Sequence, residues 1–112
     1  MRASMSLHDR RSDLRLWRDQ FWGVTAIDAL QPRQRETCVG VVLKIRLDQD
    51  GHLAVTVEDG GGQLTALFTG RGSFPVLELG RGMRLTATLS ADSDDGLLMR
   101  NPAWTAVAGP YA

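Results

Sequence analysis

One cysteine, two histidines, four prolines and a few aromatics (three Trp, three Phe, one Tyr) in 112 residues exclude several kinds of protein at the outset. A lone Cys38 rules out an internal disulfide framework. It reads as a small residue at the start of a strand rather than as a nucleophile, because His8 and His52 lie in polar stretches. His8, His52 and Cys38 are not at ligand spacing, and a structural zinc normally takes four such groups, so neither a metal nor a cofactor is expected. No run approaches the ~18 apolar residues of a membrane span, and the first thirty residues lack the uninterrupted apolar core of a signal peptide. The expectation is a cytoplasmic protein with no membrane contact. Catalysis needs a positioned acid–base or nucleophile set. His52 beside Asp50, and the group Asp92, Asp94 and Asp95, sit in turns without a rigid frame, so the chain is expected not to be an enzyme.

An excess of either charge is also missing: thirteen basic residues balance thirteen acidic ones. The balance is uneven along the chain, with a net +3 over residues 1–35 and −3 over 36–112. A strong attraction for phosphate must therefore come from the N-terminal part or from a local patch. Twelve of the thirteen cations are arginine, whose fork suits phosphate or carboxylate.

What is present is one domain's worth of alternating pattern. Residues 1–13 read as a flexible tail and 14–35 as a short helix with a connector. In the helix, placed over 14–22, Leu14, Trp17, Phe21 and Trp22 recur at three- and four-residue spacing, and Gly23 stops it. From Thr37 the period becomes two, with Val39, Val41, Leu43, Ile45 and Leu47 on one face and Cys38, Gly40, Val42, Lys44 and Arg46 on the other. Leu53/Val55/Val57, Leu64/Ala66/Phe68, Met83/Leu85/Ala87/Leu89 and Leu97/Met99 mark four further strands. Asp48–Gly51, Asp59–Gly62 and Asp92–Gly96 turn between them, and a Gly-rich link joins the third to the fourth. Asn101-Pro102 breaks the last strand, and Trp104 to Val107 close the chain. Residues 36–108 thus form an all-β, five-stranded barrel, with 109–112 as a C-terminal tail. Five short strands with a longer third link is the order of an OB-fold Greek-key barrel, and Gly40 would let the long first strand bend.

Four segments in order carry a resemblance: V-G-V-V-L-K-I-R-L (39–47), E-D-G-G-G-Q-L-T-A-L-F (58–68), L-G-R-G-M-R-L (79–85) and M-R-N-P-A-W (99–104). Together they resemble the OB-fold nucleic-acid-binding domain of the wedge in bacterial branch-migration helicases and anticodon-binding OB domains. They are more similar still to small stand-alone OB-fold proteins of actinobacteria. The resemblance covers about residues 35–108 and implies an OB barrel whose ligand is single-stranded or structured nucleic acid.

OB folds take single strands on the face of strands two and three, using a positive groove and aromatic platforms. The candidate groove residues are Lys44, Arg46, Arg71, Arg84 and Arg100, with Phe74 and Trp104 as candidate platforms. Asp48 and Asp50 on one flanking loop, and Asp92, Asp94 and Asp95 on the other, work against phosphate there. The rival expectation is a protein-interaction module that has lost the groove. By strand parity Val42 and Leu67 point outward, and the stripe Leu14, Trp17, Phe21 and Trp22 needs a cover. That stripe either folds back on its own barrel or meets a protein partner or a second copy as a homodimer.

Overall fold

The computed structural model describes residues 7–69, 77–90 and 96–111, with side chains from residue 10 onward. A helix α1 (Leu7–Arg18) and a short 3-10 turn (Ile27–Ala29) precede six strands. These are β1 (Arg35–Leu47), β2 (Leu53–Glu58), β3 (Gln63–Phe68), β4 (Gly82–Thr88), β5 (Leu97–Arg100) and β6 (Ala103–Val107). Their order in the sheet is β5-β3-β2-β1-β4-β6. The expected fifth strand is thus two pieces, divided at Asn101, whose φ of +47° turns the chain, and Pro102. The first piece runs parallel to β3 and the second antiparallel to β4, so one stretch of chain forms both edges and curls the sheet into a barrel. A bridge from Leu89, just past the end of β4, to Met99 of β5 helps close the curl.

β1 is long enough to serve two partners, β4 through Arg35–Val41 and β2 through Val41–Leu47. The change of partner falls at a bulge between Val42 and Lys44, where Leu43 is the extra residue. The bulge resets the strand's parity, which corrects the uninterrupted alternation expected from the sequence. Before it, Cys38 and Val42 face the barrel core while Val39 and Val41 face outward. After it, Lys44 and Arg46 face outward and Ile45 pairs with the buried Val55. Val42 is therefore a core residue, 2% exposed, and not part of a surface patch. Gly40 is not the bending point; its missing side chain makes room for Val57, whose Cβ would lie 2.7 Å from a Cβ at that position.

Two apolar clusters result. The barrel interior gathers Cys38, Val42, Val55, Val57, Leu64, Ala66, Phe68, Met83, Leu85, Leu89 and Met99, and Ile27 and Leu30 of the 3-10 segment join it. The second cluster is outside the barrel: Leu14 and Trp17 of α1 lie on Val39 and Val41, with Phe21, Val24 and Val107 at the margin. Gly82 is the seat for Trp17, since a Cβ there would come within 2.9 Å of Trp17 Cζ2. The indole Nε1–H donates to the Ala108 carbonyl at 2.8 Å, satisfying the polar end of a ring that is otherwise buried. Leu14, Trp17 and Phe21 of the stripe accordingly fold back on their own chain, but they cover the barrel wall, and the end plug is Ile27 instead.

The helix differs from its expected span of 14–22 at both ends. It starts by Leu7 because residues that read as tail find partners far along the chain: Arg10 pairs with Glu58 and the Arg11 backbone lies against Gly60. Within the expected span, Arg15 binds the Gly60 carbonyl and Arg18 binds Asp59. It ends at Arg18, where Gln20 and Phe21 donate back three residues to Trp17 and Arg18. This tightening turns Phe21 edge-on to Trp17, ring centroids 5.1 Å apart and planes at 75°, and leaves Trp22 91% exposed.

Candidate nucleic-acid interface on the open barrel wall

The β2–β3 turn, D-G-G-G over 59–62, does more than reverse the chain. Asp59 is fully buried, and its carboxylate accepts four hydrogen bonds. Oδ1 takes the backbone N–H groups of Gly61 and Gly62 at 2.9 and 3.0 Å. Oδ2 takes Ile27 N–H at 2.8 Å and Arg18 Nη1 at 3.1 Å. One side chain thus holds the turn, the barrel plug and the last turn of α1 together. Burial of Arg18 opposes its charge, but the hydrogen bonds and charges of Asp59 and Asp19 outweigh that and raise its pKa above the ordinary value. Gly60 sits at φ +87° against the Arg11 backbone, so both its conformation and its lack of a side chain are required. Sequence reasoning missed Asp59, because D-G-G-G is also ordinary hairpin chemistry.

The opposite wall, formed by β1, β2, β3 and β5, is not covered by any described element. Register across the four strands sets the outward side chains in two rows. Lys44, Thr56, Thr65 and Leu98 form one, and Arg46, Ala54, Leu67 and Arg100 the other. Lys44, Arg46 and Arg100 are exposed, and the hydroxyl and apolar members between them are half-buried. A cleft of about 710 Å³ runs along these rows as far as Leu67 and Leu98, lined also by Gln63 and Gly96, and Arg100 lies beyond its lining as the row's last member. Cations at both margins flank a strip of threonine and leucine, the arrangement of a shallow groove for an extended polyanion.

Three of the expected groove residues, Lys44, Arg46 and Arg100, come together here. Arg84 does not: it pairs with Val39 and Thr105 on the helix-covered wall, and its Nη2 donates to the Trp22 carbonyl at 2.8 Å. Trp104, 38% exposed, lies opposite the core residue Leu85 and belongs to neither row. Arg71 and Phe74, like Asp92, Asp94 and Asp95, fall outside the described residues. Leu67 faces outward as expected, now as a member of the second row. Thr56, Thr65 and Leu98 were missed, although the parity of Val55, Val57 and Leu64 already turned the threonines outward.

At the β1–β2 turn the Asp48, Asp50 and His52 ligand atoms lie within 4.8 Å of one another, the one such group among the described residues. Asp48 Oδ1 already accepts the backbone N–H groups of Asp50 and His52, at 2.9 and 2.8 Å, so the cluster is accounted for as the closure of the turn. Cys38 is buried in the core, and desolvation, aided by the charges of Asp59 and Glu36, pushes its thiol up to about 12. It is not a reactive thiolate at neutral pH. No helix among the described residues is long and apolar enough to cross a membrane.

No family model matches the chain, and no curated protein matches it. Solved structures do. The p204 HINb domain superposes with a TM-score of 0.62 at 15% identity, over 75% of this chain and 47% of that one. The OB domain of MM0293 from Methanosarcina mazei gives 0.62 at 14% identity, over 78% of this chain and 84% of that domain. RecG bound to a three-way DNA junction gives 0.55 at 16% identity, over 79% of this chain and 13% of RecG. This chain therefore spans about half of the HINb structure and a small part of RecG. With the strand order above, these likenesses establish the class: the chain is an OB-fold barrel carrying an N-terminal helix on its wall.

Proposed function

We propose that this chain is a non-catalytic OB-fold module that takes single-stranded or structured nucleic acid on its open β1–β2–β3–β5 wall. The observation that carries the reading is the pair of cross-strand rows that sets Lys44, Arg46 and Arg100 around Thr56, Thr65, Leu67 and Leu98. This is the wall on which OB folds receive oligonucleotides. A DNA junction is bound in the RecG structure that superposes on the chain, which supports the same ligand class. Among the described residues no aromatic lies in either row, so base stacking falls to the flat guanidinium faces of Arg46 and Arg100. Binding then rests on phosphate contacts, with little sequence preference.

Fluorescence anisotropy with a labelled oligothymidine tests this. Three phosphate contacts at about 0.7 counterions each predict a slope of log K against log salt near −2. Absence of binding at about 50 mM salt would contradict the reading.

A second reading is favoured by one observation, the 91% exposure of Trp22. An isolated indole of that kind suits a protein partner or a second copy of the chain, because Trp is a preferred anchor at interfaces. It predicts an association that nuclease does not disturb and that Trp22→Ala abolishes.

A further inference from the structure

A second cavity adjoins the open wall. It measures about 500 Å³ and is lined by Arg10, Arg11 and Arg15 of α1, by Asp28, and by Glu58 and Gly60–Gln63 of the β2–β3 hairpin. Gln63 lines both this cavity and the cleft on the wall. The Glu58–Gln63 pair is the next outward row beyond Thr56–Thr65, only about 7 Å further along the strands. The two depressions are therefore consecutive stretches of one surface.

The charges in the second cavity are arranged for an anion. Glu58, which would otherwise face a phosphate, is paired with Arg10. Arg15 is held in place by its bond to the Gly60 carbonyl at 3.2 Å. Arg11 is exposed and makes no ion pair or side-chain hydrogen bond among the described residues, so its fork is free for a ligand. Three guanidinium groups face two carboxylates, one of them already neutralised.

We propose that the α1 cavity is a second phosphate subsite, so that a strand on the barrel wall continues past Gln63 onto Arg11 and Arg15. The helix is then both the cover of one wall and an extension of the other. This inference rests on the nucleic-acid reading and lengthens the footprint that reading assigns. Arginine also suits carboxylate, but continuity with the basic rows favours the backbone of the same nucleic-acid strand over an acidic peptide.

The test uses the full chain and two oligothymidines, one of about three nucleotides, long enough only for the wall of four strands spaced ~4.8 Å apart, and one of about twenty, which reaches the cavity as well. Arg11→Glu is the probe, because the Arg11 side chain is exposed and makes no ion pair or hydrogen bond among the described residues. It should weaken the longer oligonucleotide about tenfold, leave the shorter within about twofold, and reduce the salt slope for the longer one by roughly one. Lys44→Ala/Arg46→Ala should weaken both lengths. Equal weakening of both lengths by Arg11→Glu, or no effect on either, overturns the subsite while binding to the wall stands. Binding of neither oligonucleotide by the unaltered chain removes the underlying reading. Binding of polyglutamate, but not oligothymidine, in an Arg11-dependent way assigns the cavity to an acidic peptide and overturns the proposal.

Discussion

The two outer walls of this barrel share the strand β1, yet one is covered and the other bare. On the β1–β4–β6 side the outward residues include the apolar group Val39, Val41, Gly82 and Val107, and the chain lays Leu14 and Trp17 over them, with Thr37, Arg84, Thr86 and Thr105 beside them. On the β1–β2–β3–β5 side they are Lys44, Arg46, Thr56, Thr65 and Leu67, and nothing described lies over them. The bulge at Leu43 divides the two regimes within a single strand. Outward valines must be removed from water, and burying Leu14 and Trp17 against them stabilises the fold by roughly 2 kcal/mol each. Outward threonines and cations impose no such demand, so that wall needs no cover from its own chain.

The sharpest way to break the contrast is to release the cover. Asp59→Ala leaves Arg18, Ile27 N–H and two glycine N–H groups without their acceptor. It should cost about 4 kcal/mol in urea denaturation. Trp17→Ala empties the seat at Gly82 and should cost about 3 kcal/mol while leaving the affinity for a short oligonucleotide unchanged. The converse change, Lys44→Glu with Arg46→Glu, should leave stability within about 0.5 kcal/mol. It should weaken oligonucleotide binding about a hundredfold, equivalent to ~2.7 kcal/mol.

A separate effect is one of pH, confined to alkaline solution. The Cys38 thiol is held near 12 in the folded chain against an ordinary 9.0, so the folded state keeps this proton longer than the unfolded state does. Its contribution is fully present below pH 9.0 and is lost as pH rises toward about 12. Denaturation of the native chain should therefore weaken across that window more steeply than that of Cys38→Ala.

Where local pattern and tertiary demand agree, the sequence alone was enough. Val55, Val57, Leu64 and Ala66 alternate with polar or small residues, and β2 and β3 fall where that alternation puts them. Val41, Val42 and Leu43 are three apolar residues in a row, so either parity satisfies them and only the pairing with β2 reveals the bulge. The early start of α1 was hidden for a similar reason: the partner of Arg10 is Glu58, more than forty residues away. Of the candidate site, the cations Lys44, Arg46 and Arg100 were legible from parity and charge. The threonines between them, and the arginine cavity beside them, required the register and the docked helix.

A map of amide chemical-shift changes on titrating a short oligothymidine tests the open wall most directly. The account predicts shifts at Lys44, Arg46, Ala54, Thr56, Thr65, Leu67, Leu98 and Arg100, with Thr37, Arg84, Thr86 and Thr105 on the covered wall unmoved. Shifts gathered instead around Trp22 and Arg84, with the two rows silent, would contradict it.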